Sequence, residues 1–206
     1  MKLKIHKDSF KTCNCGCWNE NKDVLDPQTL AEMDKVFEEF NDNDIFIDAG
    51  ANTGLMSLHL KNGAGIAIEV EPNIFRVLKE NIKLNYKEVT CLNEALYNEV
   101  VGYSIKSSDW GGTTCIEIMR NVASSTTTTG DNIVKQYVDE KENVKMIKID
   151  CEEVSEKVLQ GFIETIKKYH PVVIVEAQGG VKKDWFNQFG YDISKIKHIE
   201  NNFIVK

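Results

Sequence analysis

Four apolar runs in this chain lead into acids, and acids at such positions can bind ligands or move protons. Ile45-Phe46-Ile47 ends in Asp48, Ile66-Ala67-Ile68 leads to Glu71, Val144–Ile149 ends in Asp150, and Pro171–Val175 ends in Glu176. Asp48 is followed by a glycine-punctuated turn, Gly50-Ala51-Asn52-Thr53-Gly54. Strand, glycine turn, helix, strand and acid is the order of a nucleotide-binding βαβ unit. The dinucleotide version spaces its glycines as GxGxxG and opens a helix onto a diphosphate. Here the spacing is Gly50-x-Asn52-x-Gly54, with Asp48 two residues ahead of the first glycine. An anion at that tip repels a diphosphate and suits a cation.

S-adenosylmethionine (SAM) carries a sulfonium and an ammonium and no phosphate, so the pattern points to SAM. Asp48, Gly50, Ala51, Asn52, Thr53 and Gly54 are the expected cofactor-binding residues of the first turn. Glu71, at the tip of the second strand, is placed to accept two hydrogen bonds from a ribose diol. Loss of a charged acceptor of this kind costs about 1.5–3 kcal/mol. The structural alternative is a turn whose glycines only let strand and helix pack.

The remaining acids suggest proton chemistry. A hydroxyl or amide nucleophile benefits from a base, and two neighbouring carboxylates push one pKa up. Asp150 and Glu152 are the candidate pair. Asp150 equally fits a cofactor or helix-capping ligand, and Glu152 equally fits a solvated acid in a first helical turn. Trp110, inside the loop Ser107–Gly112, is a candidate substrate-side lid or a core cover. Glu176 either binds substrate or pairs structurally. His59 reads as a packing or surface residue and His170 as a helix end.

These residues need elements to hold them. Asp26-Pro27 reads as an N-cap and first helical residue, with Leu30, Met33, Phe37 and Phe40 on one face. A short amphipathic helix is expected between Gly54 and Asn62-Gly63. A second helix opens at Pro72-Asn73 and closes near Asn85. Strands follow at Val89–Leu92, weakly at Val100–Ile105, and at Val144–Asp150. Ser124–Thr129 (SSTTTT) reads as mobile or ordered by ligand, and Asp131–Val138 as a short helix. Ser155 is the expected cap of a helix burying Val158, Leu159, Phe162, Ile163 and Ile166. Pro171–Val175 reads as a strand buried on both faces. Val181–Phe189 reads as a helix, then Tyr191–Ile196 and Asn202–Val205 as a strand pair. Alternating strands and helices predict a doubly wound, mainly parallel α/β sheet with ligands at strand C-termini. The expected organisation is an N-terminal cysteine-containing segment and helix over 1–43 and a ligand-binding domain over 44–206.

The 206 residues are 42% apolar and 28% charged, as in an ordinary globular chain. Net charge is −7 and the sequence pI about 5.2, which argues against a broad nucleic-acid surface. No apolar run is long enough to span a bilayer, and MKLKIHKDSF lacks the apolar stretch of a signal peptide, so a cytoplasmic location without membrane association is expected. Cys91, Cys115 and Cys151 read as small core residues. Cys13, Cys15 and Cys17 sit one residue apart, unlike structural zinc ligands, and read as a solvent-facing or partner-binding thiol segment. No metal site is expected.

FIDAGANTG, IEVEPN, ENIKLN, NEAL and MIKIDCE occur in that order, and the chain resembles the FkbM-type SAM-dependent methyltransferases from about Leu30 onward. The resemblance implies a Rossmann-like, seven-stranded class I methyltransferase sheet with its last strand antiparallel. It also implies methylation of an oxygen or nitrogen of a small molecule, glycan or peptide. On this resemblance Asp48, Gly50, Asn52 and Thr53 hold the methionine end of SAM and Glu71 the ribose. Pro72 and Asn73 lie under the adenosine, Glu94 and Ala95 flank the adenine, and Asp150 faces the reacting methyl. The chain departs from the family at Glu153, where a glycine is usual. The competing readings are an NAD-linked oxidoreductase and a non-catalytic binding module on the same fold.

Overall fold

The computed structural model describes residues 4–6, 26–85, 87–107, 114–119, 125–177 and 180–206. Trp110 and the cluster Cys13, Cys15 and Cys17 lie outside the described residues.

Helix α1 (Pro27–Phe37) precedes β1 (Asp44–Ala49), a short 3-10 turn at Ser57–His59, β2 (Ala64–Ile68) and α2 (Pro72–Leu84). Next come β3 (Val89–Leu92), β4 (Gly102–Ser107), β5 (Thr114–Met119), α3 (Gly130–Tyr137) and β6 (Asn143–Ile149). The chain then runs through α4 (Ser155–Gln160), α5 (Ile163–Tyr169), β7 (Val172–Glu176), β8 (Lys197–Ile199) and β9 (Asn202–Val205). Seven strands form one sheet in the order β3-β2-β1-β6-β7-β9-β8, and β4 and β5 form a separate pair. β1, β2, β3, β6 and β7 run parallel, whereas β9 is antiparallel to both β7 and β8. This is the expected doubly wound α/β sheet, with its direction reversed at β9.

Alternation along the strands sends side chains into two apolar layers. Ile45, Ile47 and Ala49 of β1 join Ile147 and Ile149 of β6 and residues of α3, α4 and α5, among them Ile133, Leu159 and Ile166. Phe46, Met146, Ile174 and Ile204 point the other way and pack under Leu30, Met33, Val36 and Phe37 of α1. α2 covers the same side further along through Leu78 and Ile82 against Ala67. Both faces are therefore buried, which is why the inner strands read as continuous apolar runs.

Several expectations change in the folded chain. The helix expected after Gly54 is only the 3-10 turn Ser57–His59. Asp26 does not cap α1: its backbone is left-handed and its side chain makes no cap hydrogen bond. Glu200 caps α1 from far along the chain, its carboxylate accepting the Gln28 and Thr29 N–H groups at 3.1 and 2.9 Å. The helix expected from Ser155 to Ile166 is two helices. Asp131 caps the second, its carboxylate accepting the N–H groups of Glu164 and Thr165 at 3.1 and 2.8 Å. Ser155 instead accepts the Cys151 N–H at 3.0 Å, and Thr165 takes the buried position expected of Ile163. The described part of the threonine run is pinned: the buried Thr127 hydroxyl donates to Glu99 O at 2.7 Å, and its N–H donates to Val101 O at 2.8 Å. Lys183–Phe189 is 3-10 rather than α-helical. The last strand pair uses Lys197–Ile199, because Ile193–Lys195 forms a 3-10 turn. Cys91, Cys115 and Cys151 are free and half-buried rather than sealed in the core.

Candidate active site

The C-terminal ends of β1, β2, β6 and β7 open into one cavity of about 260 Å³. Its walls contain Asp48, Gly50, Ala51, Asn52, Thr53, Glu94, Ala95, Asp150, Glu152 and Glu176, all expected from the sequence. Gly54, Glu71, Pro72 and Asn73 do not line it. Gly54 is needed for packing: a Cβ there would meet Leu78 Cδ1 at 2.7 Å.

The turn after β1 is shaped by backbone geometry. Gly50 has φ +80°, and a Cβ at that position would stand 1.9 Å from the Asp150 carbonyl oxygen. Only glycine lets the β1 turn and the β6 tip approach so closely. Asn52 is also left-handed, at φ 50°. That conformation directs its N–H to Glu69 Oε2 at 3.0 Å, while its side-chain oxygen accepts the Thr53 N–H at 2.7 Å.

Glu69 is the acid at the tip of β2, directly after Ile68, and only 5% exposed. It lines the cavity, and its other oxygen accepts the Glu71 N–H at 2.9 Å. Burial pushes its carboxyl up to about 7, against the backbone donors that pull it down. Glu71, expected in this place, points elsewhere: it is the N-cap of α2 and accepts the Ile74 N–H at 2.7 Å. Asn73 donates its amide to Glu71 at 3.0 Å, away from the cavity wall. The signal that separates the two acids is available in sequence. The strand's apolar residues stop at Ile68, so the first following residue occupies the tip, and Pro72 marks Glu71 as the residue before a helix.

Lys148 is the second residue the sequence reading passed over. It sits in β6 opposite Asp48 in the strand register and is 2% exposed. Its ammonium pairs with Asp150 Oδ2 at 2.7 Å. Burial alone would lower its pKa, but Asp150 and Asp48 outweigh burial and raise it. Asp48 is buried and accepts the Ser57 hydroxyl at 2.6 Å, and burial, opposed by Lys148, holds its carboxyl above the usual range. A lysine inside an apolar strand requires buried counter-charges, a signal present in the segment MIKID. Asp26 also lines the cavity, freed for this by the distant Glu200 cap.

Continuing the register of Ile149 with Val175 by one residue sets Asp150 beside Glu176. Burial first, then Asp150 and Glu152, push Glu176 up to about 7. Glu152 lines the cavity with a left-handed backbone, φ 54°, a strained conformation of the kind concentrated at functional sites. The β4–β5 pair closes one side through Thr114 and Ile116. The bridges Gly102–Thr126 and Leu96–Thr128 tie it to the body.

The sheet order, the reversed β9 and a ligand cavity at the parallel strand tips together define a class I methyltransferase architecture. The methyltransferase FkbM domain model matches residues 48–202. The chain therefore belongs to the FkbM methyltransferase family. The structure of an FkbM methyltransferase from Methylobacillus flagellatus KT aligns with a TM-score of 0.52 and 14% identity, covering 81% of this chain and 44% of that one. This chain thus spans less than half of that protein. A precorrin-8w decarboxylase from Methanobacterium thermoautotrophicum aligns at a TM-score of 0.50 and 12% identity, covering 89% of this chain and 90% of that one. These likenesses are of fold. No curated protein sequence matches the chain. Among the described residues no helix is long and apolar enough to cross a membrane.

Proposed function

We propose that the protein transfers a methyl group from SAM to an oxygen or nitrogen of a small molecule, glycan or peptide. The observation that carries this reading is Glu69, a buried tip acid fixed by the Asn52 N–H of the glycine turn and lining the shared cavity. In this reading Glu69, not Glu71, accepts the ribose hydroxyls. Gly50 to Thr53 hold the methionine end, and Glu94 and Ala95 border the adenine. SAM supplies an electrophilic methyl on a sulfonium that loses its charge on transfer. An acid-lined cavity fits such a cation, and holding the acceptor in line is the main catalytic contribution of a site of this kind.

Asp150 and Glu152 are the proposed proton-handling residues. The Lys148 ion pair orients the Asp150 carboxylate at the β6 tip. Glu152 follows in the 3-10 turn Glu152–Val154, on the same cavity wall. A dinucleotide fits less well. A diphosphate needs the N–H groups of a helix N-terminus, and the glycine turn here leads only to a three-residue 3-10 turn.

The test is calorimetric titration with SAM and with its demethylated product, S-adenosylhomocysteine (SAH), for the wild type and Glu69→Ala. Micromolar binding that the substitution weakens supports the reading. A folded wild type that binds neither compound overturns it.

A further inference from the structure

Where β7 and β9 meet the cavity, two buried acceptor atoms have no donor among the described residues. β7 and β9 pair with Glu176 directly opposite Asn202, so their side chains share one face of the sheet. Both residues line the cavity and are 8% and 2% exposed. Glu176 Oε2 and Asn202 Oδ1 have no hydrogen-bond partner among the described residues.

The amide orientation of Asn202 follows from its surroundings. The Thr29 hydroxyl donates its proton to Glu200 Oε2 at 2.7 Å. Thr29 Oγ1 is therefore left to accept, and Asn202 Nδ2 donates to it at 3.3 Å. Turning the amide over would place two acceptors together, so Oδ1 stays on the side away from Thr29.

Buried acceptors left without donors are costly, and a pair of them on one cavity wall marks the place of a donor-bearing ligand group. The charge of the wall selects the kind of donor. Among the described residues Asp26, Asp150 and Glu176 gather here around Lys148, the opposing cation, which is already paired to Asp150. The excess is negative, which favours a cationic donor and repels phosphate.

We propose that this part of the cavity is the methyl-acceptor subsite and that it anchors an ammonium group of the acceptor between Glu176 and Asn202. The proposal rests on the reading of the glycine-turn end as the SAM site. The ammonium supplies a donor to each orphan oxygen and offsets the charge of the acid cluster. The anchored group holds the acceptor, leaving the methylated oxygen or nitrogen elsewhere on the same molecule.

The test uses a matched pair of probes of nearly equal shape, cyclohexylammonium chloride and cyclohexanol. Each is titrated calorimetrically into wild-type protein already saturated with SAH. The ammonium should bind at least about tenfold more tightly than the alcohol. In Glu176→Gln the preference should fall to within about threefold. Glu176→Asp keeps the charge but withdraws it by one methylene, and should retain an intermediate preference. SAH affinity close to wild type in each variant shows that the variant is folded. Equal affinity for the two probes in the wild type, or a preference that survives in Glu176→Gln, overturns the proposal. The first outcome would mean that Glu176 is protonated and attracts no cation, and the second that the preference comes from the other acids of the wall. If the wild type binds no SAH, the cofactor reading fails at the first titration, before any probe is added, and the subsite falls with it.

Discussion

Glu69 accepts the backbone N–H of Glu71 at 2.9 Å, so the first acid of the segment EVEP is bonded to the backbone of the second, yet the two serve different elements. Glu69 closes β2 toward the cavity, and Glu71 starts α2. Substitution separates these tasks. Glu69→Ala should weaken SAH binding by roughly 10- to 100-fold, the worth of a charged acceptor. Glu71→Ala should cost about 1 kcal/mol of stability as a lost cap and change SAH affinity by less than about threefold. Calorimetry and urea denaturation on both variants check this. A larger loss of binding in Glu71→Ala would return the ribose to Glu71.

The same carboxyl makes the protein sensitive to pH. Glu69 is raised from 4.5 to about 7 by burial, so the native state holds its proton more tightly than the unfolded chain. Its contribution to stability is complete below about pH 4.5 and is lost as pH rises through about 7, a loss of about 3 kcal/mol. Glu176, also raised to about 7 by burial and then by Asp150, acts in the same direction. The ligand-free protein should therefore unfold at lower urea at pH 8 than at pH 5.5. SAH affinity should rise over that window, because ribose donors favour the ionised carboxylate. Glu69→Gln should flatten both trends, and an unchanged slope in that variant would remove Glu69 as their source.

Lys148 holds together acids that could not otherwise share one strand end. Lys148→Met leaves Asp48 and Asp150 without their buried cation. Removing one partner of a buried ion pair costs about 3–5 kcal/mol. The loss should shrink at low pH, where Asp48, held above the usual carboxylate range by burial, takes up a proton. Urea titrations at pH 5 and 7.5 measure both effects. A cost below about 1 kcal/mol at pH 7.5 would show that solvent rather than Lys148 balances the acids.

Gly50→Ala tests the join between β1 and β6. The added Cβ falls 1.9 Å from the Asp150 carbonyl at a φ of +80°, so the backbone must move. Overpacking of this kind costs about 1–3 kcal/mol, and the displaced Asp150 should carry SAH binding and methyl transfer down with it. Wild-type affinity in a folded Gly50→Ala variant would show that the close approach is not required.

Much of the architecture was legible in the sequence. The alternation of apolar runs with amphipathic stretches predicted the parallel sheet, because strands buried on both faces leave no other pattern. The opening at Pro72-Asn73 and the close near Asn85 marked α2 within a residue of its observed ends. The glycine turn was legible because a left-handed backbone at Gly50 restricts the residue type. The short stretch after Gly54 was less so, since its apolar residues suit a 3-10 turn as well as a helix.

The tertiary structure decided which acids face the cavity and which are spent elsewhere. Glu200 caps α1 and releases Asp26, and Asp131 caps α5, across separations of 171 and 34 residues. Such pairings leave no local pattern, because a carboxylate's partner is set by where the sheet brings distant segments together. The sequence by itself determined the fold class, the glycine turn and the supply of acids at the strand ends. Only the folded chain joined Asp48 to Lys148 and Glu176 to Asn202, because strand register, not spacing along the chain, makes those residues neighbours.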